Sequence, residues 1–304
     1  KQNSNSRYLK ALKVIELLRP KQWIKNLFVF APILFAGKLL DFPLLLTNML
    51  AFLSFCCISS SVYILNDIVD VEADRIHKKK RYRPIAAGYV QEKEAKILFV
   101  VMVMLSLIIA VNLNYLFVIT ILAYFVNNLL YSFRIKNIVL LDVFSISFGF
   151  MLRVVGGAVA IDVSISSWMI ITTIFISLFL GISKRRAELS GPNQENLEKQ
   201  RKVLSDYDIL FADQLNTIAA TGTIISYALY TVSEKALQSF HTDKLIYTTP
   251  FVIYGIFRYL YLLHQKNLGE SPTQIVTKDI PIIINSLIWL IACAFIIYKS
   301  RFGF

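Results

Sequence analysis

Charge is what this sequence has least of. Asp, Glu, Lys and Arg make up 17% of the 304 residues, while 56% are hydrophobic. A soluble globular chain is about one-quarter charged, so this shortage excludes an ordinary soluble domain and points to a polytopic membrane protein. Cysteine is nearly as scarce. Cys56, Cys57 and Cys293 all lie in apolar runs and none has metal-ligand spacing, which leaves them as packing residues. Of the three histidines, His77, His241 and His264 all fall in or beside polar connectors. No Ser/His/Asp set is visible, so nucleophilic triad chemistry has no support. Low-complexity tracts, short-period repeats and a cleavable signal sequence are missing too.

What is present is a series of long charge-free runs. Ile97–Phe133 holds thirty-seven residues without a charge, too many for one helix across a ~30 Å hydrocarbon core and enough for two, with Asn112–Asn114 as the turn. Phe42–Asn66, Val163–Ser183, Gln214–Ser233 and Ile280–Tyr298 are similar, and shorter or interrupted runs lie at Trp23–Leu40, Ile138–Ile161 and Leu245–His264. The expectation is an all-α membrane protein of nine transmembrane helices, since helices satisfy every backbone polar group within the bilayer. It forms a single integral membrane domain, 1–304, packed around a central cavity. Lys and Arg crowd residues 1–25, 67–96 and 184–202 and are sparse in the alternate connectors. Positive-inside bias then places the N-terminus in the cytoplasm, the C-terminus outside, and the protein in the plasma membrane. The net charge of +12 is explained by that bias and by anionic lipid, with no role for nucleic acid. Residues 1–22 are cytoplasmic and interfacial, and Leu9–Leu18 reads as an amphipathic surface helix. The connectors 67–96 and 184–207 begin 117 residues apart, a hint of two related halves.

One connector concentrates both signs of charge: NDIVDVEADRIHKKKRYRPIAAG, Asn66–Gly88. Asp67, Asp70 and Asp74 fall at i, i+3 and i+7, which on a helix is one face about 60° wide. Convergent carboxylates repel unless a cation sits among them, and hard oxygen donors of this kind suit Mg²⁺ bridged to substrate phosphates. A solvated loop whose acids balance its bases is the plain alternative. Of the bases that follow, Lys78, Lys79 and Lys80 read as topological anchors, whereas Arg83, just before Pro84, is a candidate phosphate holder. Acids for a metal beside bases for phosphate suit a diphosphate. In the fifth expected span, Asp142, Ser145, Gly149, Arg153 and Gly156 recur at helical spacing, a polar and small-residue stripe expected to line the cavity. A salt bridge made by Arg153 is the competing role.

These residues resemble a known family. NDIVDVEAD looks like the NDxxDxxxD motif of the UbiA superfamily of intramembrane prenyltransferases, RPKQWIKN (Arg19–Asn26) resembles its approach to the first helix, and YSFRIK (Tyr131–Lys136) its fourth-span end. The superfamily carries a second acidic DxxxD motif, and there this sequence departs. GISKRRAEL puts Lys184 and Glu188 at the two acidic positions, with Arg185 beside them, and RKVLSDY (Arg201–Tyr207) follows. Lys184 and Glu188 also suit a simple i, i+4 helix pair.

YRPIAAG, KRRAEL and RKVLSDY are similar to the decaprenyl-phosphate phosphoribosyltransferase branch of the superfamily. That resemblance implies Mg²⁺-dependent transfer of 5-phosphoribose from phosphoribosyl diphosphate to a polyprenyl phosphate, with diphosphate released. Asp67, Asp70 and Asp74 are the implied metal and catalytic residues. Asn66, Lys25, Asn26, Arg83, Lys136, Lys184, Arg185, Glu188, Arg201, Lys202 and Tyr207 are the implied substrate contacts, and Asp142, Arg153 and Gly156 the cavity lining. Such a reaction gathers far more negative charge than prenyl transfer to an aromatic acceptor, and added cations answer that need. Prenyl transfer and a transporter with Asp142 and Arg153 on an ion path stay open as alternatives. An oligomer is compatible with all three.

Overall fold

The computed structural model describes residues 2–76, 80–190, 206–266 and 272–302, with side chains from Lys10 to Lys299. Among them there are helices and turns and no strands. The N-terminal helix α1, Gln2–Leu18, lays Val14, Leu17 and Leu18 on Ile64, Ile85, Val90 and Ala95 and leaves Leu12 and Ile15 exposed, the division an amphipathic surface helix requires.

Among the described residues, seven helical segments are long and apolar enough to cross a membrane. They are α3 (Phe42–Val69), α5 (Glu92–Leu113), α6 (Tyr115–Phe133), α7 (Leu141–Ala160), α8 (Ser167–Ser190), Lys244–Gln265, and the first twenty residues of α13 (Ile280–Phe302). Nine were expected, and the two differences have local causes. Pro20–Phe30 is a 3-10 helix and α2 is only Ala31–Phe35, so Trp23–Leu40 is not one continuous α-helix; Pro32 at its start cannot donate to a preceding turn. The other, α9 (Ile209–Thr231), is long enough at 23 residues, but Gln214, Asn216, Thr217, Thr221 and Thr223 dilute its apolar character. Short helices α4 (Val71–Ile76), α10 (Glu234–Phe240) and α12 (Pro272–Lys278) fill connectors, and Thr249–Gln265, α11, completes the sixth crossing segment.

Polar side chains set the helix starts. Asp41 caps α3 through the Leu44 amide, Asn114 both ends α5 and caps α6, and Gln91 with Glu94 forms a capping box on α5. The break falls at Asn114, the last residue of the expected Asn112–Asn114 turn, while Asn112 and Leu113 still belong to α5.

Two apolar cores meet on α7. Val29, Phe55, Phe117, Ile121, Tyr124 and Leu152 join the 3-10 segment, α3, α6 and α7. Val143, Phe179, Ile182, Ala219, Ile256 and Tyr259 join α7 to α8, α9 and α11. The apolar stretch of α7 is 67% buried and that of α5 only 11%, so α7 is the central staff and α5 a peripheral helix. On α5 the exposed residues Ile97, Val101, Leu105 and Ile108 repeat every three to four positions, a stripe that suits acyl chains.

Close packing fixes α7 against its neighbours. A side chain on Gly157 would collide with the backbone carbonyl of Val29, and one on Gly156 would come within 2.6 Å of the Phe55 ring. Gly156 thus sits at a helix contact, against Phe55 and Thr120. The remaining stripe is buried as its spacing implies, with Asp142 at 0% and Arg153 at 6% exposure.

Candidate active site

The acidic face forms where α3 stops. Asp70 closes α3 at φ −90°, ψ 6°, and α4 begins at the next residue, so the three aspartates do not share one unbroken helix. Among the described residues no three acidic, His or Cys side chains gather as a metal-ligand group. Asp67 and Asp74 do come together, both 2% exposed, with Arg83 between them. A single atom, Arg83 Nη1, lies 3.0 Å from Asp67 Oδ1 and 2.6 Å from Asp74 Oδ2. Arg19 Nη2 reaches the same Asp67 oxygen at 2.6 Å. Asp70 is half-buried one turn away, linked by its carbonyl to the Asp74 amide, and Asn66 supplies the carbonyl that holds the Asp70 amide.

Arg19 was missing from the sequence-derived site. Its signal was present: the chain contains two Arg-Pro pairs, Arg19–Pro20 and Arg83–Pro84, and both arginines clamp Asp67. Arg19 adopts a left-handed backbone, φ 53°, ψ 57°, at the junction of α1 and the 3-10 segment. A non-glycine residue there costs about 1 kcal/mol or more, and here that conformation accompanies the Asp67 ion pair.

A second cluster joins the end of α8 to the start of α7. Arg185, 0% exposed, donates from Nε to Asp142 Oδ2 at 2.6 Å, from Nη1 to Glu188 Oε2 at 2.6 Å and from Nη2 to Tyr131 Oη at 3.2 Å. Lys184 Nζ is 3.8 Å from Glu188 Oε1, the i, i+4 pair that the spacing allowed. Tyr207 donates to Asp142 Oδ1 at 3.0 Å and accepts from the Leu140 amide at 2.9 Å. Burial, then the neighbouring Asp142 charge, pushes the Tyr207 phenol up to about 12, which keeps it a donor at neutral pH. Arg185 is therefore engaged on all three nitrogens, two by protein carboxylates and one by a tyrosine hydroxyl. Lys184, 38% exposed, is the more solvent-accessible of the two cations. Lys136 is half-buried in the turn Ile135–Asn137, and Arg201 and Lys202 lie outside the described residues.

Among the described residues Arg153 makes no salt bridge: Asp142, the acid on its own helix, lies eleven residues away, roughly 16 Å, and pairs with Arg185. Among the described residues its partners are neutral: Asn26 Oδ1 at 2.7 Å, Tyr124 Oη at 2.7 Å and the Gly149 carbonyl at 3.0 Å. Asn26, 0% exposed, is held from behind by bonds to Cys56 Sγ and Ser59 Oγ, both 3.3 Å. Lys25 is half-buried in the 3-10 segment, outside the seven crossing segments. Burial first, then the Arg153 and Arg19 charges, pull its ammonium down to about 8.

Helices converging on buried arginine–carboxylate clusters define a class as well as a site. The sequence profile of the UbiA prenyltransferase family matches residues 27–189, and the chain belongs to that family. It is a multi-pass membrane protein. Within the family, the chain is 35% identical over 298 residues to decaprenyl-phosphate phosphoribosyltransferase of Mycolicibacterium smegmatis, covering 94% of this chain and 93% of that one. The protein of the same name from Corynebacterium glutamicum is 33% identical over 297 residues, with 94% and 86% covered. A UbiA homolog from Archaeoglobus fulgidus bound to GPP and Mg²⁺ superposes with a TM-score of 0.68 at 19% identity, over 94% of this chain and 99% of that one.

Proposed function

We propose that this protein transfers 5-phosphoribose from phosphoribosyl diphosphate to a polyprenyl phosphate and releases diphosphate. The observation that carries this reading is full-length similarity to two phosphoribosyltransferases. The replacement of a second acidic motif by Lys184, Arg185 and Glu188 supports it. The bond that breaks joins ribose C1 to the diphosphate, and the bond that forms joins C1 to an oxygen of the lipid phosphate. That oxygen is already ionised at neutral pH, so no strong general base is required. The demands on the protein are positioning and charge stabilisation.

Arg19 and Arg83 are placed to hold the diphosphate beside Asp67 and Asp74, and Lys184 to meet a further phosphate oxygen. Asp67 and Asp74 fit Mg²⁺: they are hard oxygen donors already sharing one cationic nitrogen, and Mg²⁺ needs only one or two carboxylates when substrate phosphates supply the rest. Bound there, Mg²⁺ would neutralise charge building on the departing diphosphate. The basic connectors support a site on the cytoplasmic face, with the N-terminus inside and the C-terminus outside.

The test uses membranes containing the protein, labelled phosphoribosyl diphosphate, a polyprenyl phosphate, and either Mg²⁺ or EDTA. Label entering the lipid fraction only with Mg²⁺ is the expected result. No such label, together with consumption of a prenyl diphosphate and an aromatic acceptor, would replace this reaction with prenyl transfer.

A further inference from the structure

Arg153 raises a question that the proposed reaction leaves open. A guanidinium has five N–H donors; its bonds to Asn26, Gly149 and Tyr124 occupy three, none with a charged acceptor. The faces of Tyr124 and Phe150 lie 4.7 and 5.1 Å from its central carbon, which stabilises the cation without neutralising it. Lys25 is the residue next to Asn26, and no described acid lies within ion-pair distance of it or of Arg153. Two cations therefore share this part of the bundle without a described acid beside them, and Lys25 lies near enough to feel the charges of Arg153 and Arg19.

An uncompensated buried charge costs several kcal/mol. The surroundings nevertheless hold both cations in place. Cys56 and Ser59 orient the Asn26 amide, which in turn orients Arg153, and Gly157 brings the Val29 backbone against α7. Cys56 precedes Asp67 by eleven residues on α3, roughly 16 Å at 1.5 Å per residue, so this position is distinct from the Asp67–Arg83–Asp74 cluster.

We infer that Lys25 and Arg153, positioned by Asn26 and Tyr124, form a second anion subsite that binds a phosphomonoester. A doubly charged phosphate balances the two cations. The Arg153 fork supplies directed donors, and Lys25 supplies a mobile point charge. The assignment rests on the proposed reaction for its choice of ligand, since that reaction brings a phosphomonoester from two sources: the 5-phosphate of the donor and the phosphate of the lipid acceptor.

The full chain, purified in detergent, provides the test. Lys25→Gln is the deciding variant because the side chain is only half-buried; Arg153→Lys retains charge and removes the fork, and Lys25→Arg serves as the rescue. With each substrate varied separately, Lys25→Gln is expected to raise one KM at least tenfold, leaving the other within twofold. A raised donor KM assigns the subsite to ribose 5-phosphate, and a raised acceptor KM to the lipid phosphate. In parallel, ribose 5-phosphate or dodecyl phosphate should raise the melting temperature of the natural sequence and not that of Lys25→Gln. Normal transfer with neither KM changed in Lys25→Gln overturns the subsite and leaves the reaction standing. Phosphomonoester protection that depends on Lys25, in a protein that transfers no phosphoribose, overturns the reaction and leaves the subsite.

Discussion

The clusters at the ends of α3 and α8 are both built from arginine and carboxylate, and they differ in access. At α3, Asp67 and Asp74 are buried while Arg19 and Arg83 are 28% and 27% exposed, so the cations stand between the acids and solvent. At α8 the order is reversed: Arg185 is 0% exposed and Glu188 20%, with Asp142 sealed behind it. A half-exposed arginine can turn from a protein acid to a substrate phosphate, whereas one enclosed by three acceptors cannot without uncovering a buried charge. One kind of ion pair thus serves as an exchangeable clasp at the first cluster and as a rivet at the second.

The sharpest way to break that comparison is to remove the rivet. Arg185→Ala strands Asp142 without its partner, and losing one member of a buried pair costs about 3–5 kcal/mol. A lowered unfolding midpoint in detergent is expected, and an unmoved midpoint would make the two clusters equivalent. Asp67→Asn should do the opposite. Turnover falls at least a hundredfold, about 2.7 kcal/mol in barrier, while the midpoint stays close to that of the natural sequence because Arg83 keeps Asp74. Retained turnover would remove the metal and diphosphate role from this aspartate. Lys184→Glu probes the open edge of the second cluster: a several-fold rise in the donor KM is expected. An unchanged constant returns Lys184 to a helix pair worth about 0.2–0.5 kcal/mol. Tyr207→Phe, the smallest change, deletes the hydroxyl that donates to Asp142 and accepts from the Leu140 amide, and should lower stability by about 1–2 kcal/mol.

Much of this architecture was legible in the sequence, because charge-free runs, the Asn112–Asn114 turn and the basic connectors follow directly from bilayer physics. The departures occur where backbone geometry decides. Nothing in the run Trp23–Leu40 announces a 3-10 helix of eleven residues, since its composition alone suits a span. Spacing placed Asp67, Asp70 and Asp74 on one face, but that count assumed a helix which ends at Asp70. Pairing was least legible of all. Asp142 and Arg153 share a stripe on α7, yet Asp142 bonds to Arg185 from another helix and Arg153 is left with neutral partners. Eleven residues on one helix, about 16 Å, keep Asp142 and Arg153 from pairing with each other, but no spacing names the partner each takes from another helix. Arg19–Pro20 repeats the Arg83–Pro84 pair, and that repeat is the sequence signal for the second arginine on Asp67.

Gly157 carries a consequence for how this bundle can change shape. With the Val29 carbonyl seated where a side chain would be, the 3-10 segment and α7 cannot slide past one another without losing that fit. The same segment carries Lys25 and Asn26 with Arg19 capping its start, and α7 carries Arg153 and Asp142. Any opening that admits a lipid must then move these two elements as one rigid unit, with compliance supplied elsewhere. The contact acts as a register pin: it sets the depth of five charged or polar groups together.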